Sequence, residues 1–178
     1  MLRHLFSKAF FAPALALAAL ACWPTVSHAQ FKAGDFELTL GGTGTNNRQF
    51  TSSSIGAEGS LGYFLTPEIE FSLRENATYA SIEHGGDSFT SETRAAADYN
   101  IPLGKLVPFI GANIGYAYGT HGFKDTFEVA PEAGVKYFLN STTFIFGLAE
   151  YDITFRHGHN ASFSDGFWLY SLGLGLRL

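Results

Sequence analysis

The chain ends in SLGLGLRL, residues 171–178, in which Ser171, Gly173, Gly175 and Arg177 alternate with Leu172, Leu174, Leu176 and Leu178. A strict period of two places one set of side chains on each face of a β-strand. Chain termini are ordinarily polar and frayed. A strand pattern that runs to the last residue therefore marks a stave that a larger wall needs whole.

Seven more stretches carry the same alternation. DFELTLGG (35–42) sets Phe36, Leu38 and Leu40 against Glu37 and Thr39, and SIGAEGSLGYF (54–64) sets Ile55, Ala57, Leu61 and Tyr63 against Glu58 and Ser60. EIEFSLRENATYA (68–80) sets Ile69, Phe71, Leu73, Ala77 and Tyr79 against Glu70, Ser72, Arg74 and Asn76, and only Glu75 interrupts its apolar face. SETRAAADYNI (91–101), PFIGANIGYAYG (108–119), TFEVAPEAGVKYF (126–138) and FIFGLAEYDITFR (144–156) repeat the pattern, and the eighth strand begins at FWLY (167–170). Short turns, near Pro67, Pro102 and Asn140, alternate with longer polar loops near 44–53, 81–88, 120–125 and 157–165. This rhythm predicts an all-β, eight-stranded antiparallel up-and-down barrel.

Two such barrels exist, with opposite faces inward. A soluble, lipocalin-like periplasmic barrel fills its interior with apolar side chains and shows a polar exterior to water. A transmembrane barrel reverses the faces. Here the polar face carries glycine and charges of both signs: Glu58, Glu70, Arg74, Glu92, Arg94, Asp98, Glu132, Lys136, Glu150, Asp152 and Arg177. Those can pair across a narrow lumen. Of these, Glu58, Glu70, Arg74, Arg94, Asp98, Glu132, Lys136, Glu150 and Arg177 are the expected lumen charge network. Aromatic residues gather at the strand ends, Tyr63, Tyr99, Tyr137 and Phe144 on the short-turn side and Tyr79, Tyr116, Tyr118, Phe127, Tyr151, Phe155 and Trp168 on the loop side. Two girdles at two bilayer interfaces account for both groups. Unpaired backbone groups cost several kcal/mol each in hydrocarbon, so the last strand must close on the first. The transmembrane sense is the expectation. On it, arginine at Ala133 is costly and serine at Gly134, facing the lumen, is milder.

Residues 1–29 read as a secretory signal peptide, with basic Arg3 and Lys8, an apolar run from Phe10 to Cys22, and small residues before a cut after Ala29. The barrel domain is then 30–178, without the chain's single cysteine and so without a disulfide. Removal of Arg3 and Lys8 moves the formal charge from −5 to −7, which argues against nucleic acid as a partner.

The 30–178 segment resembles the small eight-stranded outer-membrane β-barrel proteins of Gram-negative bacteria, a porin-like family. In that family the last strand carries an assembly signal: a polar residue, a glycine two further on, and two bulky apolar residues at alternate positions ending the chain. Ser171, Gly173, Leu176 and Leu178 match it, with leucine where the family usually ends in phenylalanine. PEAGVKYFL (131–139) is similar to the sixth-strand region of such barrels. The resemblance implies the outer membrane as location, and its lipid, lipopolysaccharide and assembly machinery as partners. It leaves the partner of the loops unspecified.

FRHGHNASFSDG (155–166) is the most reactive-looking stretch, and it is similar to a region of outer-membrane lipid A deacylases, which place a serine two residues after a histidine. Here those positions hold His159 after His157 and Ala161 after His159, so the nucleophile is missing. His157 and His159, with His84 or His121, are too few fixed ligands for a zinc site. Asn140 and Asn160 fit a glycosylation pattern by chance. The expectation is thus no catalytic centre, no metal and no cofactor. Eight strands leave an interior that side chains fill, so the charges are expected to plug the lumen rather than line an ion path. Phe109, Phe138, Phe144 and Phe146 fall on the inward face in this register and add to the block. The resulting expectation is a non-enzymatic outer-membrane barrel with a structural or surface-interaction role. A lipid A-modifying enzyme is the alternative.

Overall fold

The computed structural model of the protein describes residues 31–47, 53–82, 86–120, 125–155 and 166–178. Eight strands follow one another: β1 (Phe36–Asn47), β2 (Ser53–Phe64), β3 (Ile69–Ile82), β4 (Gly86–Asn100), β5 (Leu106–Gly119), β6 (Thr126–Phe138), β7 (Thr143–Phe155) and β8 (Phe167–Arg177). Each is antiparallel to the next, and β8 pairs with β1 to close the barrel. No helix among the described residues is long and apolar enough to cross a membrane, which leaves any crossing to the strands. The short turns are fixed locally. Thr66 Oγ1 accepts the Ile69 N–H at 3.0 Å between β2 and β3, and Asn140 Oδ1 accepts the Thr142 and Thr143 N–H groups at 2.9 and 2.8 Å between β6 and β7.

Register partners followed once round the sheet lead from Glu37 to Asn47, ten residues further along β1. With about 3.3 Å per residue and about 4.8 Å between strands, that stagger tilts eight staves by roughly 40°. Each residue then climbs about 2.5 Å, and the ten steps from Trp168 to Leu178 cover about 25 Å, the height of the apolar band of an outer-membrane barrel.

The outer face is apolar. Leu40, Ile55, Leu73, Ile110, Ile114, Phe127, Leu172 and Leu174 are all exposed on it, and Leu172 is 73% exposed. The charged alternates are buried inside. This is the transmembrane sense of the two barrels, since a soluble barrel would have these faces exchanged. The terminal stave is complete: the Leu178 N–H donates to the Phe36 carbonyl at 2.8 Å, and the Phe36 N–H to the Leu178 carbonyl at 3.3 Å. Leucine at the chain terminus thus sits in the wall.

Four expectations change. β3 reaches Ile82 and β4 begins at Gly86, so the loop expected near 81–88 is largely strand, the two strands staying paired out to Ile82 and Gly86. β1 runs to Asn47, five residues past its apolar stretch, because Thr43 continues the inward face while Gly42 and Gly44 leave the outward face blank. Phe144 is fully buried in the lumen and takes no part in a girdle. Tyr151 is on the outward-facing parity but buried, with Trp168 edge-on at 5.0 Å between ring centroids.

Candidate functional site in the barrel lumen

Strand alternation sends the charged side chains of six strands into one narrow interior, where three cations organise them into tiers. Nearest the short-turn end, Lys136 on β6 places Nζ 2.6 Å from Glu37 Oε2 (β1) and 2.7 Å from Glu70 Oε2 (β3). In the middle, Arg74 on β3 grips Glu132 through Nη2 at 2.7 Å and Nη1 at 3.1 Å, and Asp98 at 2.8 Å. Towards the loop end, Arg94 on β4 meets Glu128 at 3.1 Å, Glu150 at 3.0 Å, Glu58 at 3.3 Å, and Glu92. Asn113 joins the two upper tiers, its Nδ2 donating to Glu132 and to Glu150 at 2.5 Å each. Ion pairs of this kind need close, well-aligned contacts, because desolvation of each ion costs several kcal/mol.

Acids outnumber bases. Glu37, Glu58, Glu70, Glu92, Asp98, Glu128, Glu132, Glu150 and Asp152 face Lys136, Arg74 and Arg94. Asp152 is fully buried, and neither carboxyl oxygen has a hydrogen-bond partner among the described residues. Among the described residues, no group of three acid, histidine or cysteine side chains is disposed to hold a metal ion. Arginine fills the centre of the upper tier instead.

Below Lys136 the lumen is closed by aromatic rings. Phe31, Phe64, Val107, Phe109, Phe138, Phe144, Phe146 and Leu148 form one buried cluster. Phe31 precedes β1 and folds back into the barrel through a turn at Gly34, where φ is +94°, a left-handed conformation that favours glycine. Its ring stacks on Phe64 at 3.9 Å and 8°. Lys136 Nζ lies 5.0 Å from the Phe31 centroid and 5.3 Å from those of Phe64 and Phe109, so the ammonium caps the plug by cation–π attraction. Glycines make room for these rings. A Cβ at Gly175 would overlap the Phe144 ring, and one at Gly173 would come within 2.8 Å of Phe146 Cε1. The space left between the Lys136 and Arg74 tiers is about 20 Å³, room for one water.

Eight of the nine expected network residues thus face the lumen. Arg177 stands apart. It lies one residue from the terminus, at the rim, where its Nε is 3.7 Å from Asp35 and both side chains are partly exposed. Strand parity alone cannot separate rim from interior. Glu37 and Glu128 belong with the tiers although the candidate set omits them; both sit on the inward parity of their strands, the signal that could have found them. Phe31 carries no strand signal at all. In the terminal strand, Ser171 is buried and its Oγ lies 3.5 Å from Glu58 Oε1, Gly173 opposes Gly41 of β1, and Leu176 and Leu178 are exposed on the outer face. Residues 1–29, the histidines at 84, 121, 157 and 159, and Asn160, Ala161 and Ser162 lie outside the described residues.

A closed eight-stranded wall with apolar exterior and ion-paired interior can be set beside solved structures. OprG of Pseudomonas aeruginosa aligns with a TM-score of 0.63 over 84% of this chain and 98% of that one, at 14% identity. This is the fold of the small outer-membrane β-barrels. Neisserial surface protein A aligns at 0.56 over 83% and 97%, with 14% identity, and Ail, the attachment invasion locus protein of Yersinia pestis, at 0.54 over 83% and 100%, with 16% identity. At such identities the likeness establishes the outer-membrane barrel fold alone. No protein-family model matches the sequence, and no curated protein matches it significantly.

Proposed function

We propose that the protein is a non-enzymatic, integral outer-membrane barrel with an occluded lumen, whose work is done by its wall and its loop end in a structural or surface-interaction role. The observation that carries this reading is the plug: three ion-pair tiers and a ring cluster leave room for about one water between the lower two tiers. A solute path needs a continuous hydrated lumen. The short turns and both chain ends then face the periplasm. The outward leucines and tyrosines contact outer-membrane lipid and lipopolysaccharide, and Ser171, Gly173, Leu176 and Leu178 serve as the signal read during assembly. A surface role accords with two structural neighbours named as a surface protein and as an attachment invasion locus protein.

Reconstitution into planar lipid bilayers tests occlusion. The wild-type protein should give no resolved conductance steps in 1 M KCl. Stable, reproducible steps from the wild type would replace the plug with a pore.

A further inference from the structure

The outer wall breaks its own rule once. Glu75 lies on the outward face of β3, between Leu73 and Ala77, six residues from the inner end of the strand and seven from its outer end. Among the described strand side chains it is the only acid on that face. Its carboxylate is held. Thr93 Oγ1 on β4 donates to Oε2 at 2.6 Å, and Tyr118 OH on β5 donates to Oε1 at 2.8 Å. Three strands thus build one anionic group into a surface where carboxylates are costly. No cation among the described residues pairs with it.

A groove runs from this group along β4 towards the turn end. Thr93, Ala95 and Ala97 form its floor, and Tyr99 closes it. Leu73, Phe71 and Ile69 of β3 stand on one side and Ile114 and Ile110 of β5 on the other, all exposed. An outward-facing hollow lies at the lower end, among Ile69, Ala97, Tyr99 and Ile110. The backbones of β3 and β5 are about 9.6 Å apart, and the flanking side chains take up part of that width. An α-helix, about 10–12 Å across with its side chains, does not enter. One alkyl chain does. The six steps from Thr93 to Tyr99 span about 20 Å, the length of roughly 16 extended chain carbons.

We propose that Glu75, Thr93 and Tyr118 form a lipid-facing site for the ammonium group of a single-chain alkylamine whose chain lies along β4. Bilayer chains compete for the apolar groove on nearly equal terms, since lipid is as apolar as the groove. Selectivity therefore resides in the head group. The carboxylate supplies the counter-charge at the level of the loop-side girdle, where Tyr118 holds it and an ion pair is screened less than in bulk water. The ammonium has three donors for acceptor positions that Thr93 and Tyr118 leave free on Glu75.

The test uses the full barrel in phosphatidylcholine vesicles with hexadecylammonium carrying a chain nitroxide. The immobilised fraction in the electron paramagnetic resonance spectrum reads association. The wild type should prefer this probe at least tenfold over the matching hexadecanol analogue. Glu75→Gln, which keeps shape and removes charge, should abolish that preference. Ala97→Trp, which fills the lower groove and leaves Glu75 intact, should weaken hexadecylammonium severalfold and spare octylammonium. Equal association of amine and alcohol with the wild type, or an unchanged preference in Glu75→Gln, would overturn the site. Ala97→Trp without effect on the long amine would overturn the placement of its chain. None of these readings depends on whether the lumen conducts.

Discussion

Arg94 is the residue whose loss the lumen should tolerate least. It is fully enclosed and holds four carboxylates, those of Glu58, Glu92, Glu128 and Glu150. Arg94→Met keeps a long side chain in the same space and removes the charge. Breaking one buried pair by deleting a partner costs about 3–5 kcal/mol, because the remaining charge is stranded. Four stranded acids place the loss at the upper end of that range, and proton uptake by some of them offsets part of it. The expected destabilisation is therefore about 4–5 kcal/mol. Arg177→Met is the internal comparison. Its contact with Asp35 is 3.7 Å long and partly exposed. A pair of that kind contributes about 0–1 kcal/mol. Urea titration of barrels folded into phosphatidylcholine vesicles, read by the heat-modifiable band on gels, measures both. Adding Glu58→Gln and Glu150→Gln to Arg94→Met should recover a good part of the loss. If Arg94→Met lies within about 1 kcal/mol of the wild type, or does no more harm than Arg177→Met, the tiers do not hold the barrel together.

Further outcomes follow from the wall and the plug. Ala133→Arg puts a charge on the lipid face of β6 and should cost about 2–4 kcal/mol by the same titration. Phe31→Ala empties the ring stack on Phe64 and should cost about 3 kcal/mol while the barrel still closes. Deletion of Leu176–Leu178 should sharply lower the folded fraction in outer membranes relative to alanine changes at Ser52 and Ser54, whereas Leu178→Phe should fold as well as or better than the wild type. His157→Ala and Ser162→Ala should leave host lipid A acylation unchanged by mass spectrometry. Loss of an acyl chain that depends on the protein and on His157 would favour the enzyme reading.

The strands were legible because lipid enforces a period of two on every one of them, and a one-residue slip would send leucines into the lumen. The signal fades where the outer face has no side chain to show, as at Gly42 and Gly44, and β1 is read five residues short there. Parity also identified the inward charges, but not which of them meet. That Arg94 gathers acids from β2, β4, β6 and β7 depends on the stagger of ten residues, a property of closure that no local window contains. Gly134 illustrates the same limit. It faces the lumen, so serine there reads as mild. In the structure a Cβ at that position overlaps the Phe109 ring and comes within 2.5 Å of the Gly147 carbonyl. Phe31 was invisible for a different reason, since its role depends on a backward turn at Gly34 rather than on any repeat.

A membrane-spanning wall requires the leucines to face outward, and the terminal strand reports that directly. The segment from residue 30 onward contains no cysteine, so single cysteines introduced one at a time from Leu169 to Leu178 can each carry a spin label. Collision rates with oxygen, which concentrates in hydrocarbon, should alternate with a period of two in lipid vesicles. Maxima are expected at Tyr170, Leu172, Leu174 and Leu176, minima at Leu169 and Ser171, and lipid exposure should persist at Leu178. A flat profile, or one with the maxima at Leu169 and Ser171, would contradict the closed barrel with its charges inside.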